Sequence, residues 1–284
     1  MVGQVVYIIS DVRSGSTLLD NILAACPGAV SVGELSLLAS FLYKGNVGKH
    51  VQWKCTCGAT ITDCGFWGEV ISRLSGEGIP IQETSFAALS RIDGKRQIDE
   101  AAKGKVTQGN DEIYKKVFAL SNAKLIIDSS KDAEQGLHLY KQSIHNVKII
   151  YIERDIRAVS SSKYKWNMRF NSESVSSVRL LRRSMRVRKK IKTKLRGVRE
   201  NDLVCVKYKE LADNPQKTID RIFRHFQMEP YRVPKYMDMS NGHSIGGTPN
   251  RYKKVPVKYD DTWKEFARKR PFFNIIGGIL EAFT

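Results

Sequence analysis

Five strand-forming residues in a row, Val5, Val6, Tyr7, Ile8 and Ile9, open the chain's pattern and stop at Ser10-Asp11. A polar loop, Arg13-Ser14-Gly15-Ser16-Thr17, follows, and then Leu18, Leu19, Ile22 and Leu23 take up helical spacing. The pattern predicts a strand, a tight loop and a helix N-terminus. Similar apolar runs recur at Leu125–Ile127, Val147–Ile152 and Leu203–Tyr208, and Ala29–Val32 reads as a shorter strand. Helical patterns lie between or after them, at 35–43, 111–120, up to Gln142, from Ile156, at 216–226 and at 272–283. Continuous apolar strands alternating with helices predict an α/β fold in three layers, α/β/α, with a central parallel sheet of four or five strands.

The first loop is built for an anion. Exposed amides at a helix start, three hydroxyls and the Arg13 guanidinium would converge on a phosphate or sulfate, and the helix dipole adds favourable potential. It is not the nucleoside-triphosphate loop, which needs a second glycine followed by lysine and a magnesium-binding hydroxyl. A second strand end, Glu153-Arg154-Asp155, leads into a helix carrying Ser162. Eight residues separate Arg154 from Ser162, about two helical turns, so the serine returns to the side of the helix on which it begins. Arginine suits phosphate there because its planar fork can grip two oxygens.

Composition narrows the classes. The 284 residues suffice for a substantial core and read as one domain, 1–284, with a variable region at 50–120 and a basic helix at 175–200. There is no secretory pattern at the N-terminus and no membrane-spanning run, so the expectation is a cytoplasmic chain. The C-terminal 272–283 run reads as a packed helix, with contact at a membrane surface as the alternative. Formal net charge is +18, a bias that favours polyanionic partners. Much of it lies in 179–199, with 11 lysines or arginines and no acidic residue. Apolar residues recur there at helical spacing, so one face packs. The other is expected to meet an anionic acceptor or a lipid headgroup at the inner membrane face rather than specific nucleic acid, since no nucleic-acid motif accompanies the charge.

The two motifs together resemble the sulfotransferases that use 3′-phosphoadenosine 5′-phosphosulfate (PAPS), whose fold is related to that of the nucleoside triphosphatases. Their 5′-phosphosulfate loop is Lys/Arg-Ser-Gly-Ser/Thr-Thr, which Arg13 to Thr17 match position for position. The resemblance implies that Arg13, Ser14, Gly15, Ser16, Thr17 and Leu18 hold the 5′ end, and that Arg154 and Ser162 bind the 3′-phosphate. It also implies adenosine 3′,5′-bisphosphate (PAP) as product and no metal requirement. Arg251, in the glycine-rich and basic stretch 243–254, would be a second 3′-phosphate ligand; a plain surface turn is the other reading. Tyr208 and the Asn214-Pro215 segment match family scaffold.

Three further assignments follow from that resemblance. Glu34, 21 residues after Arg13, would be the catalytic base, as in the glutamate-based branch acting on tyrosyl peptides and carbohydrates. A glutamate complementing a helix dipole is the plainer reading. Lys131 would stabilise the transferring sulfuryl group, with Arg13 holding charge on the leaving phosphate; a turn and N-cap at 128–132 is compatible with that. The acceptor would be a hydroxyl or amine on a glycan, peptide or small metabolite. The competing functions are a nucleotide-dependent kinase with a degenerate loop and a non-enzymatic polyanion-binding protein. Finally, His50, Cys55, Cys57 and Cys64 form a cluster. It reads as a structural insert, with zinc an arithmetic alternative, although Cys-x-Cys is not the usual zinc spacing.

Overall fold

The computed structural model describes residues 3–42, 54–85, 99–170, 175–238, 242–248 and 252–283. His50 and Arg251 lie outside the described residues.

Five parallel strands form the central sheet: β1 (Gln4–Ile9), β2 (Ala29–Gly33), β3 (Leu125–Lys131), β4 (Asn146–Glu153) and β5 (Leu203–Lys207), in the order β2-β3-β1-β4-β5. Strand β1 sits in the middle, pairing Val5 with Ile126 on one side and with Val147 on the other. Val5 to Ile9 are fully buried because both faces of the sheet are covered. Alternate side chains serve the two sides: Val5, Tyr7 and Ile9 enter one apolar core, Val6 and Ile8 the other. Each aliphatic residue so buried contributes about 1.5–3 kcal/mol.

Helix α1 (Ser16–Ala24) lies on the second side, where Leu19, Ile22 and Leu23 pack. The other side carries α3 (Gly65–Gly76) and α4 (Glu100–Ser121), with Trp67, Val70, Leu74, Ile113 and Val117 buried. Between β2 and α3 the chain makes a short 3-10 turn at Leu35–Leu37 and helix α2 (Leu38–Leu42). Parts of the variable region at 50–120 therefore belong to the core. Helix α4 begins at Glu100, with Asp99 accepting the Ala102 N–H at 2.8 Å, and not at Asp111 as the sequence pattern suggested. Helix α5 (Ala133–Gln142) follows β3, capped by Asp132, which accepts from the Glu134 and Gln135 amides.

After β4, helix α6 (Ile156–Phe170) crosses the basic helix α7 (Ser177–Leu195). Helices α8 (Tyr208–Asp213) and α9 (Pro215–His225) follow β5. The chain ends in α10 (Thr262–Arg268) and α11 (Pro271–Ala282). Only one face of α11 packs. Phe273 and Gly277 are buried there, whereas Phe272, Ile275, Ile279 and Phe283 are exposed, so the expectation of a packed helix holds for half its surface. No helix among the described residues is long and apolar enough to cross a membrane.

All five strands point their carboxyl ends the same way. The chain moves to one side of β1 for β2 and β3 and to the other for β4 and β5. Such a switch opens a crevice at the carboxyl edge, where ligands of α/β sheets bind. The loop after β1, the β3 end at Lys131 and the β4 end at Arg154 all lie along that edge.

Candidate active site

The loop after β1 is shaped by two left-handed residues, Arg13 (φ 72°) and Gly15 (φ 96°), flanking Ser14, which is not left-handed. Alternation of this kind turns successive amides toward one concavity, the geometry of anion-binding nests. The amides of Ser16 and Thr17 add to it, because a helix's first turn has no carbonyls behind it. Gly15 is required for a second reason. A Cβ there would stand 2.2 Å from Cδ2 of Tyr208, the residue at the start of α8. The loop thus lies against a tyrosine ring, and only a glycine fits between.

Two arginines meet at this loop. Arg13 donates from Nε to Ser162 Oγ at 2.9 Å and stacks on Trp166, 5.1 Å from the ring centre. Arg154 reaches the Arg13 carbonyl from Nη1 at 3.4 Å and lies over the Tyr208 ring at 4.5 Å. Its Nη2 pairs with Asp260 at 3.0 Å. Burial, and then the neighbouring Arg154 charge, hold the Arg13 guanidinium below its ordinary pKa. Two partly desolvated cations in apposition favour an anion between them. Arg154 Nε is buried with no hydrogen-bond partner among the described residues. A buried charged donor left unpaired is costly, and a phosphate oxygen would satisfy it.

A second group faces the loop from β2 and β3. Glu34, just past β2, accepts the Gly247 N–H at 2.7 Å and forms an ion pair with Lys131. Its own amide donates to the Ile245 carbonyl at 2.6 Å. Lys131 closes β3 with φ 72°, a left-handed break that turns the chain out of the sheet. The Glu34 charge also acts on Arg13, so the pair lies within electrostatic reach of the loop.

Beneath lie buried carboxyls. Asp128, inside β3, accepts from Tyr114 Oη at 2.7 Å and from the Ser130 amide at 2.8 Å. Burial raises its pKa to about 6. Asp20, on α1, accepts from Ser129 Oγ at 3.0 Å, and burial lifts it to about 7. These groups lock α1, β3 and α4 together under the loop.

The profile of the sulfotransferase family matches residues 5–232. The chain belongs to that family. No curated protein matches the sequence. Among solved structures, the sulfotransferase domain from the curacin biosynthetic pathway is similar with a TM-score of 0.57 and 15% identity, over 99% of this chain and 98% of that one. A sulfotransferase from Mycobacterium tuberculosis H37Rv has a TM-score of 0.50 and 13% identity, over 81% of this chain and 68% of that one. One from Mycobacterium avium has a TM-score of 0.50 and 12% identity, over 81% and 65%. At such identities the likeness concerns the sulfotransferase fold.

Within this sulfotransferase the residues singled out from sequence fall into three places. Arg13 to Leu18, Arg154 and Ser162 come together at the β1 loop, although Ser162 bonds to Arg13 and not to Arg154. Glu34 and Lys131 form the facing pair. Cys55, Cys57 and Cys64 converge elsewhere, with His243 beside them; the fourth candidate, His50, lies outside the described residues. The sequence marks Tyr208 as scaffold and Gly246 and Gly247 as room for backbone near the 3′-phosphate, with no role for Trp166 or Asp260; the Gly247 amide is held by Glu34. Tyr208-Lys209-Glu210-Leu211 was a legible family segment, but its ring's place beneath Gly15 and Arg154 depends on packing across the sheet.

Proposed function

We propose that this sulfotransferase moves a sulfuryl group from PAPS to a hydroxyl or amine of an acceptor, releasing PAP. The observation that carries the reading is the meeting of Arg13, Arg154 and Ser162 at one glycine loop, with Arg154 Nε still unpaired. Residues present fit the donor: two cations and a row of amides suit its two phosphate ends. PAPS supplies the activated sulfuryl group.

The chain's own part is positional and electrostatic. Arg13 and the amides of Ser14 to Leu18 bind the 5′ end and stabilise the negative charge that grows on the leaving phosphate oxygen. Arg154 and Ser162 take the 3′-phosphate, joined by Arg251 in the same reading. Glu34 accepts the acceptor proton on its carboxylate as the new bond to sulfur forms. Lys131, its ion-pair partner, moves from that carboxylate to the sulfuryl oxygens. A groove of about 950 Å³ runs along α7, lined by Asn167, Ser176, Arg179, Arg182, Arg183 and Arg186. Its charge suits an acceptor with an anionic group, on a glycan, a peptide or a metabolite.

Calorimetric titration tests the donor site. PAP should bind more tightly than 5′-AMP and than ATP with magnesium, and Arg154→Ala should weaken PAP at least about tenfold, the size of one charged phosphate hydrogen bond. Preference for ATP with magnesium would favour the kinase reading. Failure of all three nucleotides to bind would leave a polyanion-binding protein.

A further inference from the structure

Away from the reaction edge, four metal-ligating atoms converge. The Sγ atoms of Cys55, Cys57 and Cys64 and an imidazole nitrogen of His243 all lie within 4.8 Å of one another. Cys57 Sγ and Cys64 Sγ are 3.7 Å apart. His243 Nδ1 stands 3.3 Å from Cys64 Sγ and 3.6 Å from Cys55 Sγ. A tetrahedral ion with bonds of about 2.3 Å to sulfur and about 2.0 Å to nitrogen sets ligand–ligand edges of about 3.8 Å and 3.5 Å. The three separations match those edges to within about 0.2 Å. We propose that Cys55, Cys57, Cys64 and His243 bind one zinc ion in a closed structural site that ties the 54–64 segment to the 242–248 segment and so steadies Glu34.

The surroundings aim the four ligand atoms at one another. Cys55 and Cys57 sit on a tight turn closed by a Lys54–Thr60 bridge, with Gly58 left-handed (φ 92°) and its amide on the Cys55 carbonyl at 2.9 Å. That turn lets a Cys-x-Cys step aim both sulfurs inward, which is why the unusual spacing does not exclude a metal. Cys64 is the N-cap of α3 and accepts the Trp67 N–H at 3.5 Å, so a helix N-terminus faces the sulfur. His243 stacks on Phe66, with ring centres 5.0 Å apart and planes 11° from parallel. Its carbonyl accepts from Trp67 Nε1. Three thiolates and one imidazole are borderline-soft donors that select zinc over magnesium or calcium. Four protein ligands leave no open position, so the ion would be structural and separate from the sulfuryl-transfer chemistry.

The segment after His243 gives the site its consequence. The Ser244 amide donates to Thr56 Oγ1 at 3.0 Å, and the Ile245 amide donates to the Val32 carbonyl at 3.1 Å, extending the β2 edge. The Ile245 carbonyl and the Gly247 amide then hold the backbone and side chain of Glu34. Removing the ion would free one end of this strap.

Elemental analysis of untagged wild-type protein, without nucleotide, should find about one zinc ion per chain. Protein grown with cobalt should show thiolate-to-cobalt charge transfer and tetrahedral ligand-field bands. Cys57→Ser and His243→Ala should each retain less than about a fifth of the metal, while Cys26→Ser and Cys205→Ser keep it in full. Hydrogen exchange should quicken at Ile245 and Gly247 in zinc-stripped wild type, a readout that needs neither donor nor acceptor. Folded wild-type protein with no metal and five thiols titratable after unfolding would overturn the proposal, as would a Cys57–Cys64 disulfide. Since none of these measurements involves PAPS, they stand or fall apart from the nucleotide reading.

Discussion

Asp20 is a carboxyl that the fold keeps out of water. Burial lifts its pKa to about 7, against hydrogen bonds from Ser31 and Ser129 that favour the charged form. In the unfolded chain it titrates near 4. Between about pH 4 and 7 the folded state therefore holds more protons than the unfolded one, and stability falls as pH rises through that window. The full cost, reached above pH 7, is on the order of 4 kcal/mol. Asp20→Asn keeps an acceptor for Ser129 and has no charge to bury. Its stability relative to wild type should climb from pH 4 to pH 7 and then level off, as measured by urea unfolding at each pH. A difference that stays constant from pH 4 to pH 8 would show that Asp20 titrates normally. Comparing the two proteins cancels the contributions of other groups, including Asp128, which is raised to about 6 by burial. Arg13, Gly15 and Arg154 could be read from sequence because their motifs are local. Nothing local marks Asp20, since an aspartate after Leu18 and Leu19 looks like the polar face of an amphipathic helix.

Strands and the loops at their ends were legible because a buried parallel strand is an apolar run with a polar stop. Where tertiary contacts satisfy polar residues, that rule breaks. Asp128 to Ser130 read as a polar turn but belong to β3, because Tyr114 and Asp20 supply their partners. The first half of α4 was obscured by Gly104 and Gly109, yet Asn110 holds the helix to the Thr84 carbonyl at 2.8 Å. Helix α11 shows the same dependence on distant partners. Its Glu281 accepts the Ile156 N–H at 2.9 Å, capping α6 two residues after Arg154. The other oxygen pairs at 3.1 Å with Arg188, which in turn donates to the Arg154 carbonyl. The last helix thus braces the strand end that is proposed to hold the 3′-phosphate. Glu281→Ala should cost about 1–3 kcal/mol, the loss of a cap and of a charged hydrogen bond. It should also weaken PAP several-fold, whereas Glu281→Gln, which keeps an acceptor for Ile156, should recover much of the stability. Urea unfolding and calorimetry read the two effects separately, and unchanged values for both in the alanine variant would remove α11 from the account of the site.

The charge of +18 is not spread evenly over the molecule. On one side of α7, Arg188 and Lys192 pair with Glu153, and Arg188 also with Glu281; Lys194, in the last turn, pairs with Glu134. On the other side, Arg179, Arg182, Arg183, Arg186, Lys189 and Lys190 are exposed, with no acidic partner among the described residues. The folded protein therefore neutralises the α7 cations facing its core and gathers others on one outward face, where Arg179, Arg182, Arg183 and Arg186 line a groove that Asn167 also borders. Like charges at this density repel, at several tenths of a kcal/mol per adjacent pair, so the face is a standing cost that an anionic partner would relieve. Exposed charges act over about 8 Å at physiological salt, which makes their contribution salt-dependent. Replacing Arg182, Arg183 and Arg186 with glutamate reverses the face without touching the loop after β1. The variant should leave a heparin column at markedly lower salt than wild type, while binding PAP within about threefold. Elution at the same salt would mean that the excess charge attracts anions from the whole surface, and the acceptor would then have to be sought at a different face. Earlier elution with PAP binding intact would assign donor and acceptor to separate halves of the molecule: the donor to the sheet edge, where sequence motifs announced it, and the acceptor to a helix face whose charge was legible but whose direction only the packing of α6 against α7 decides.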